Sequence, residues 1–241
     1  MTLCGTAFLP IWHDVDAEME AEFNQWHTVE HMPERLDTPG IVIGRRYADP
    51  AAPLYRYFTL YEAVSFDVFA SEGYYATANA RSEWTQRVHP HFQNFKRAPC
   101  HLVMTRGRGI GGGLATIRIN FAPQDHSTYE TSISPISPKD KFNLVVRPLV
   151  EAITEMDFIT SVHAGITAPV ARSPLSQQSL SLRPNAMAFD AVLMIEGISR
   201  TAVKNALPAI ENLLQNEKEA IQSYETGTYD LAYMISSQAG W

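Results

Sequence analysis

The chain has 241 residues, a formal net charge of −7 and two cysteines, with 45% hydrophobic and 19% charged residues. This is the composition of an ordinary globular protein, and it argues against a nucleic-acid-binding surface. Two cysteines are too few for a disulfide framework or a cysteine metal cluster. No apolar run approaches the ~20 residues that cross a bilayer, and the start of the chain lacks a signal-peptide pattern. We therefore expect a cytoplasmic protein without membrane contact.

The first half of the sequence predicts the order strand, helix, strand, strand, helix, strand. We expect strands at residues 3–12, 41–47, 54–62 and 101–106, and helices at 16–38 and 66–95. Asp14 or Asp16 is a suitable N-cap for the first of these helices. Pro39 and Gly40 end it, because proline and glycine follow helix C-termini.

The same order of elements is predicted again in the second half. Glycines between residues 107 and 113 separate the halves, and no Lys-Ser/Thr follows them, so they indicate a linker rather than a phosphate-binding loop. We expect strands at residues 114–121, 158–167, 187–196 and 229–235, helices at 139–155 and 201–220, and an exposed loop at 168–185.

Two short matches indicate that the halves are copies of one unit. Glu22-Phe23-Asn24 resembles Lys141-Phe142-Asn143 at an offset of 119, and residues 60–65 resemble residues 194–199 at an offset of 134. One such unit leaves a sheet face uncovered, and two sheets can cover each other. We therefore predict an α+β protein with tandem duplicated ferredoxin-like βαββαβ units, at residues 1–110 and 111–241, whose sheets face each other and whose helices lie outside.

The predicted helix at residues 16–38 carries polar residues on its apolar side. At 100° per residue, Glu30 lies near the middle of that side, His27 and Glu34 lie at its edge, and His31 lies one step further round. A carboxylate buried in an apolar stripe needs a partner or a raised pKa, and a raised pKa would make it a base near neutrality.

The second copy places aliphatic residues at these positions. The offset of 119 puts four residues opposite His27, Glu30, His31 and Glu34: Val146, Leu149, Val150 and Ile153. The fold itself therefore does not require the polar residues, and we expect one chemical site per chain, near the first copy.

Two other interpretations of the polar helix stay open. Glu30 could form a buried ion pair with Arg45, Arg46 or Arg56. His27 and His31 stand at i and i+4 in an H-x-x-E-H pattern, which in other proteins binds zinc. The duplicated α+β context differs from that of the zinc peptidases with this pattern, and we predict no metal ligands.

The residues Trp26-His27, Glu30 through Arg35, Pro39-Gly40 and Arg45-Arg46-Tyr47 resemble the EthD-like branch of the dimeric α+β barrel proteins. Trp84-Thr85, His91, Asn94-Phe95 and Arg97 are similar to it as well. The resemblance covers about residues 8–104 and implies ferredoxin-like units that close an intrachain dimeric α+β barrel around a small-molecule pocket. The wider group includes cofactor-free monooxygenases, polyketide cyclases, muconolactone isomerases and haem proteins of the chlorite dismutase type. The fold alone does not determine which of these reactions applies.

Further candidate residues lie on the strands. Tyr57 and Tyr61 share one face of the strand at residues 54–62 and would form an aromatic wall of a pocket. His13 follows the first strand, where a pocket mouth could lie. His163, on a strand of the second copy, is a conceivable haem ligand, although no motif around it specifies a haem site.

These observations favour an enzyme for a small, apolar, aromatic or cyclic metabolite, of lyase, isomerase or cyclase type, with no cofactor. We assign proton transfer to Glu30 and His31, with His27 assisting. The predicted substrate-binding residues are Arg46, Tyr57, Tyr61, His13 and Trp26. The alternatives are a non-catalytic ligand-binding or stress-response barrel protein and a haem- or metal-dependent barrel enzyme. Further assembly into a homodimer is left open.

Overall fold

The computed structural model describes residues 3–123, 140, 142–168 and 189–237. Five strands lie in the first half: β1 Ala7–Val15, β2 Ile41–Ala48, β3 Tyr57–Ala63, β4 Phe92–Arg97 and β5 Cys100–Gly107. Its α-helices are α1 Glu20–Trp26, α2 Met32–Leu36, α3 Glu72–Asn79 and α4 Glu83–Val88. A π-helical turn, His27–His31, joins α1 to α2, and 3-10 turns lie at Ala17–Met19, Phe66–Ala70 and His89–His91. We call residues 17–36 the first helix.

The second half repeats the pattern. Its strands are β6 Gly113–Phe121, β7 Ile159–Thr167, β8 Ala191–Gly197 and β9 Ile221–Ser236. A π-helical turn, Phe142–Val146, leads into α5 Arg147–Thr154, and α6 spans Arg200–Asn216. The predicted loop at residues 168–185 lies almost wholly outside the described residues.

The chain divides into two compact units. Among the described residues, the N-terminal unit holds 3–102, 167–168 and 229–237, and the C-terminal unit holds 103–166 and 189–228. The units differ from the sequence copies 1–110 and 111–241 in that β5 and β9 each contribute to both. Among the described residues, no helix combines the length and apolarity needed to cross a membrane.

Each unit has an antiparallel sheet with the same order of strands. In the N-terminal unit β1 lies between β3 and the β4–β5 segment, and β2 lies outside β3. In the C-terminal unit the order is β9, β6, β8, β7. In both units the strands lie side by side in the order fourth, first, third, second, where the numbers give their order along the chain and the β4–β5 segment counts as the fourth strand of the N-terminal unit. This is the ferredoxin-like arrangement of a βαββαβ unit.

The register of the strands confirms the duplication. A β-bulge interrupts the β2–β3 pairing between Ile41 and Ile43, and the β7–β8 pairing has the same bulge between Ile159 and Ser161. The residue before each bulged strand has a positive φ: 90° at Gly40 and 64° at Phe158. Bulges are specific local features of a sheet, so their repetition at an offset of 118 marks equivalent positions.

A buried carboxylate on the third strand of each unit supplies a further equivalence. Glu62 accepts a hydrogen bond from the backbone N–H of Cys4 at 2.6 Å, and Glu196 accepts one from Gly111 at 3.0 Å. Residues 62 and 196 are related by the offset of 134 found in the sequence. The tandem ferredoxin-like α+β fold class is therefore confirmed.

Several element boundaries were predicted wrongly. Residues 66–95 were expected to be mostly helical, yet the segment ends in strand β4, whose Trp12–Lys96 and Val15–Phe92 pairings place it beside β1. Strand β3 begins at Tyr57 rather than at residue 54, because Tyr55 has a positive φ of 57°. Strand β9 begins at Ile221, well before the predicted residue 229.

A cavity between the first helix and the N-terminal sheet

One face of the N-terminal sheet carries polar side chains toward the first helix. Directly opposed residues in antiparallel strands share a face. His13 is opposite Tyr57, and Ile11 is opposite Thr59, which is in turn opposite Arg46. Tyr57 and Tyr61 lie on the same face of β3, as predicted, because they are four residues apart in one strand. Tyr57 packs against Phe23 of the first helix with ring centroids 4.9 Å apart.

The equivalent interface of the C-terminal unit is apolar. Strands β1 and β6 are related by an offset of 106, since Ala7 is opposite Ala63 and Gly113 is opposite Gly197. This offset and those of 118 and 134 place Ile119, Ala191, Leu193 and Ala164 where the N-terminal unit has His13, Tyr57, Thr59 and Arg46. All four are fully buried, and they pack with Phe142, Val146, Val150 and Ile153 in one hydrophobic cluster. The two units thus have the same backbone arrangement and different interiors.

The π-helical turn decides which residues of the first helix face the sheet. A π turn holds an extra residue, so the side chains after it are rotated relative to an α-helix. Met32 and Arg35 are buried, whereas Glu30 and Glu34 are only partly buried. The prediction that Glu30 lies in the middle of the buried side was therefore wrong, because it assumed 100° per residue throughout.

A cavity of about 50 Å³ lies between the first helix, the sheet and the α3–α4 region. That volume exceeds what a single water molecule needs. Its walls combine apolar, aromatic, imidazole and guanidinium groups. The lining residues are Leu9, Ile11, His31, Arg35, Ile41, Tyr61, Tyr74, Ala78, Asn79, Ala80, Arg81, Thr85, His89 and Arg97.

His31 is held at the cavity by aromatic stacking. Its imidazole lies against the indole of Trp26, with ring centroids 4.4 Å apart and an interplanar angle of 29°. The ring of His89, which also lines the cavity, is 6.3 Å from that of His31. Two imidazoles therefore border the same space, and imidazole is the side chain best suited to proton transfer near neutral pH.

Glu30 does not line the cavity but lies behind its wall. Its carboxylate accepts hydrogen bonds from the indole N–H of Trp26 at 3.2 Å, from the hydroxyl of Thr85 at 3.4 Å and from the hydroxyl of Ser82. Ser82 is also the N-cap of α4, where its hydroxyl oxygen accepts from the N–H of Thr85. Glu30 thus connects the first helix to the start of α4.

Among the described residues, Glu30 forms no ion pair with Arg45, Arg46 or Arg56, which was the alternative interpretation. Each of these arginines contacts other groups. Arg45 pairs with Glu62 at 2.6 Å, and Arg56 contacts Glu20 at 3.2 Å. Arg46 donates to the carbonyl of Asn24 at 3.2 Å and to the hydroxyl of Thr28 at 3.0 Å.

His13, His27, Arg46 and Tyr57 form a buried polar cluster, distinct from the residues that line the cavity. The His13 ring stacks on Tyr57 at 5.4 Å, and the Arg46 guanidinium lies 5.9 Å from the centroid of the Tyr57 ring. The phenol of Tyr57 donates to the carboxylate of Glu20. Burial and this hydrogen bond raise the pKa of Tyr57 to about 12, so the phenol stays protonated.

Within this cluster His27 is neutral at physiological pH. Burial, the positive charge of Arg46 and the proximity of His13 hold the pKa of His27 well below its usual value of 6.5. Its Nδ1 atom is buried without a hydrogen-bond partner among the described residues. His27 therefore packs as a neutral ring, 5.5 Å from the ring of His31.

The donor groups do not fit a metal ion at His27 and His31 or a haem at His163, which were the open alternatives. In the described part of the chain, the group of three potential metal ligands within reach of one another is Asp16, Glu18 and His91, which excludes both His27 and His31. His163 has hydroxyls near both ring nitrogens, Thr105 at 3.1 Å from Nδ1 and Ser161 at 3.2 Å from Nε2. That arrangement leaves neither nitrogen directed at an iron.

Of the predicted site residues, His31 and Tyr61 line the cavity. The structure places Glu30 and Trp26 behind its wall, and His13, His27, Arg46 and Tyr57 in the buried polar cluster. Arg35, Arg97 and His89 also line the cavity, although they were not among the predicted site residues. Arg35 was detectable, because it stands at i+4 from His31 and so on the same helical face.

No protein-family model and no curated protein matches this sequence. Among solved structures, an anthrone oxidase-like protein is similar with a TM-score of 0.62 and 9% identity, covering 98% of this chain and 94% of its own. A haem-binding protein from Thermus thermophilus has a TM-score of 0.53 and 11% identity, covering 97% and 93%. A chlorite dismutase from Candidatus Nitrospira defluvii has a TM-score of 0.52 and 8% identity, covering 95% and 92%. Because the identities are this low, the similarities establish the fold alone, which is a ferredoxin-like α+β fold along nearly the whole chain.

Proposed function

We propose that this protein is a small-molecule enzyme that moves a proton on an apolar, cyclic substrate in the cavity of the N-terminal unit. The observation that carries the proposal is the position of His31, a predicted catalytic residue whose imidazole lines that cavity and stacks on a buried indole. A lyase, isomerase or cyclase needs such a group and no electron carrier.

The geometry suggests a division of roles. The substrate ring lies against Leu9, Ile11 and Tyr61, and His31 removes a proton from a carbon next to a carbonyl group. The C–H bond breaks, its electron pair moves toward the carbonyl oxygen, and the proton passes to the imidazole. The guanidinium of Arg97 stabilises the developing oxyanion. Return of the proton at another carbon completes an isomerisation, and loss of a leaving group completes an elimination.

The remaining predicted catalytic residues act indirectly in this scheme. Glu30 holds Trp26 and the start of α4, and the buried ring of His27 supports His31 from within the helix. The EthD-like affiliation, the closed intrachain barrel and further assembly into a homodimer stay predictions. The competing function is non-catalytic ligand binding, in which the same cavity holds the ligand and no proton is transferred.

Hydrogen–deuterium exchange tests the proposal without knowledge of the natural substrate. The name of the anthrone oxidase-like neighbour suggests anthrone as a probe, since its ring methylene group is a weak carbon acid. We expect the protein to accelerate exchange in D₂O under argon, followed by NMR. His31→Gln should lower the rate by about 10²–10⁴-fold.

His101→Gln is the matched control, because His101 is an exposed histidine of the same unit that does not line the cavity. Equal exchange by the His31 and His101 variants would overturn the assignment of His31. Binding of anthrone without accelerated exchange would support the ligand-binding alternative. A Soret band in the purified protein would support the haem alternative.

A further inference from the structure

We propose that the ligand of this cavity carries a carboxylate group, which Arg35 and Arg81 hold while the apolar walls hold a ring and Arg97 stays beside the carbonyl group. The inference deepens the proposed function and rests on it only for the statement that this ligand is a substrate. It is carried by the arginines that line the cavity and by the absence of acidic residues among the described lining residues.

Arg35 is the central observation. The residue is only 9% exposed, its Nη2 atom donates to the carbonyl of Thr77 at 2.7 Å, and its Nε atom is buried without a partner among the described residues. A buried charge is costly unless an opposite charge compensates it. Glu34, its neighbour in sequence, attracts this charge, but it forms no ion pair with Arg35 among the described residues and does not line the cavity. An anion in the cavity would supply a direct partner for the guanidinium.

Two further guanidinium groups border the same space. Arg97 donates to the phenol of Tyr74 at 3.2 Å, which directs it along the cavity wall. Arg81 has no carboxylate within ion-pair distance among the residues that the structure describes. Guanidinium groups bind carboxylates with paired, charge-assisted hydrogen bonds, and three of them at one cavity favour an anion over a neutral ligand.

The duplicated unit shows that the fold does not need this charge. The sequence offset of 119 placed Ile153 opposite Glu34, but the strands that follow the helices are related by an offset of 118, from Ile41 to Ile159, which places Ile153 at the position of Arg35. Ile153 is fully buried in the apolar cluster of the C-terminal unit. An isoleucine therefore satisfies the packing at this position. The guanidinium of Arg35 thus requires another explanation, and recognition of an anion supplies it.

The other lining residues determine what kind of anion fits. Leu9, Ile11, Ile41, Tyr61 and Tyr74 form an apolar and aromatic wall. Such a wall cannot replace the water around an inorganic ion, whereas it favours burial of a hydrocarbon ring. The chemistry therefore indicates an aromatic or alicyclic carboxylate rather than free phosphate.

Calorimetric titration with benzoate and benzamide tests the proposal, because the two compounds have similar shapes and differ in charge. We expect benzoate to bind at least tenfold more tightly than benzamide. Arg35→Met and Arg81→Met should each reduce the affinity for benzoate by tenfold or more and leave benzamide binding nearly unchanged. Arg87→Met is the matched control, since Arg87 is 59% exposed and pairs with Glu22 outside the cavity.

Equal affinities for benzoate and benzamide would overturn the proposal, as would equal losses in the Arg87 variant. Inorganic phosphate that binds as tightly as benzoate would overturn the choice of an organic carboxylate. Should Arg35→Met fail to fold, Arg35→Lys and Arg81→Met carry the test. Binding is measured without turnover, so the two experiments can fail separately. A failure of proton exchange in the His31 experiment would leave the preference for benzoate standing. Equal binding of benzoate and benzamide would leave the assignment of His31 standing.

Discussion

The indole ring of Trp26 connects the imidazole of His31 to the carboxylate of Glu30. Its face stacks on His31 with centroids 4.4 Å apart, while its N–H donates to Glu30 at 3.2 Å and to Thr85 at 3.1 Å. The indole cannot turn without breaking both hydrogen bonds. The position of His31 therefore depends on a carboxylate that does not itself reach the cavity.

Replacement of Glu30 by glutamine separates a positioning role from that of a base. Hydrogen bonds to a charged acceptor contribute about 1.5–3 kcal/mol when buried, and partial exposure of Glu30 reduces this to about 1 kcal/mol. We expect the melting temperature to fall by about 2–4 °C and proton exchange to fall by less than about tenfold. Thermal denaturation and the anthrone exchange assay measure the two effects.

Glu22→Gln is the control for this variant, because Glu22 lies on the same helix and forms an exposed ion pair with Arg87 at 3.3 Å. Such pairs contribute about 0–1 kcal/mol, so little change is expected. A loss of exchange by 10²-fold or more in Glu30→Gln, with an unchanged melting temperature, would instead make Glu30 the base.

The sequence predicted the fold better than the site because the two rest on different signals. The repeated order of elements and the duplication follow from matches such as residues 60–65 with 194–199, which survive in the sequence. The direction of Glu30 depends on the π turn at His27–His31, which no periodicity reveals. One extra residue in a turn was enough to move Glu30 from the buried side to its edge.

Strand β4 was missed for a different reason. The segment from His89 to Arg97 begins in a 3-10 turn and contains Asn94 with a positive φ of 50°, so its strand pattern is interrupted. The side-chain amide of Asn94 donates to Asp14 at 2.8 Å, a contact between residues 80 positions apart. Because Arg97 enters the cavity through this strand, the same long-range pairing also concealed a lining residue.

The neutral ring of His27 predicts a specific dependence of stability on pH. Its folded-state pKa lies below 6.5, so below that pH the unfolded chain binds a proton that the folded protein does not. The resulting stability is fully present above pH 6.5 and is lost as the pH falls toward the folded-state pKa, by at most about 1.4 kcal/mol per pH unit. His27→Val, which copies Val146 of the other unit, removes this contribution.

We therefore expect the free energy of unfolding of the wild type to fall more steeply between pH 7.5 and pH 5 than that of His27→Val. Urea denaturation at several pH values measures both slopes, and the charged or titratable neighbours Arg46 and His13 are present in both proteins. Parallel slopes would show that His27 titrates as in the unfolded chain.

Gly44 sets how closely the first helix approaches the sheet. A Cβ atom at Gly44 would lie 2.8 Å from Cε of Met32, 3.0 Å from Cδ2 of Leu36 and 3.3 Å from the ring of Tyr61. Gly44→Ala should cost about 1–3 kcal/mol, and it should weaken benzoate binding because Tyr61 lines the cavity. Gly73→Ala is the control: its nearest contact is 3.7 Å, and alanine favours its helix by up to about 1 kcal/mol.

The asymmetry between the units can be tested at one equivalent position. Ile11 and Ile117 occupy the same register, opposite Thr59 and Leu193, but Ile11 borders the cavity and Ile117 is fully buried in the apolar cluster. Ile117→Ala should cost about 2–5 kcal/mol, since it opens a void in a filled core. Ile11→Ala should cost less, because one side of Ile11 already faces empty space. Only Ile11→Ala should change the affinity for benzoate, and a change confined to Ile117→Ala would show that the ligand binds in the C-terminal unit.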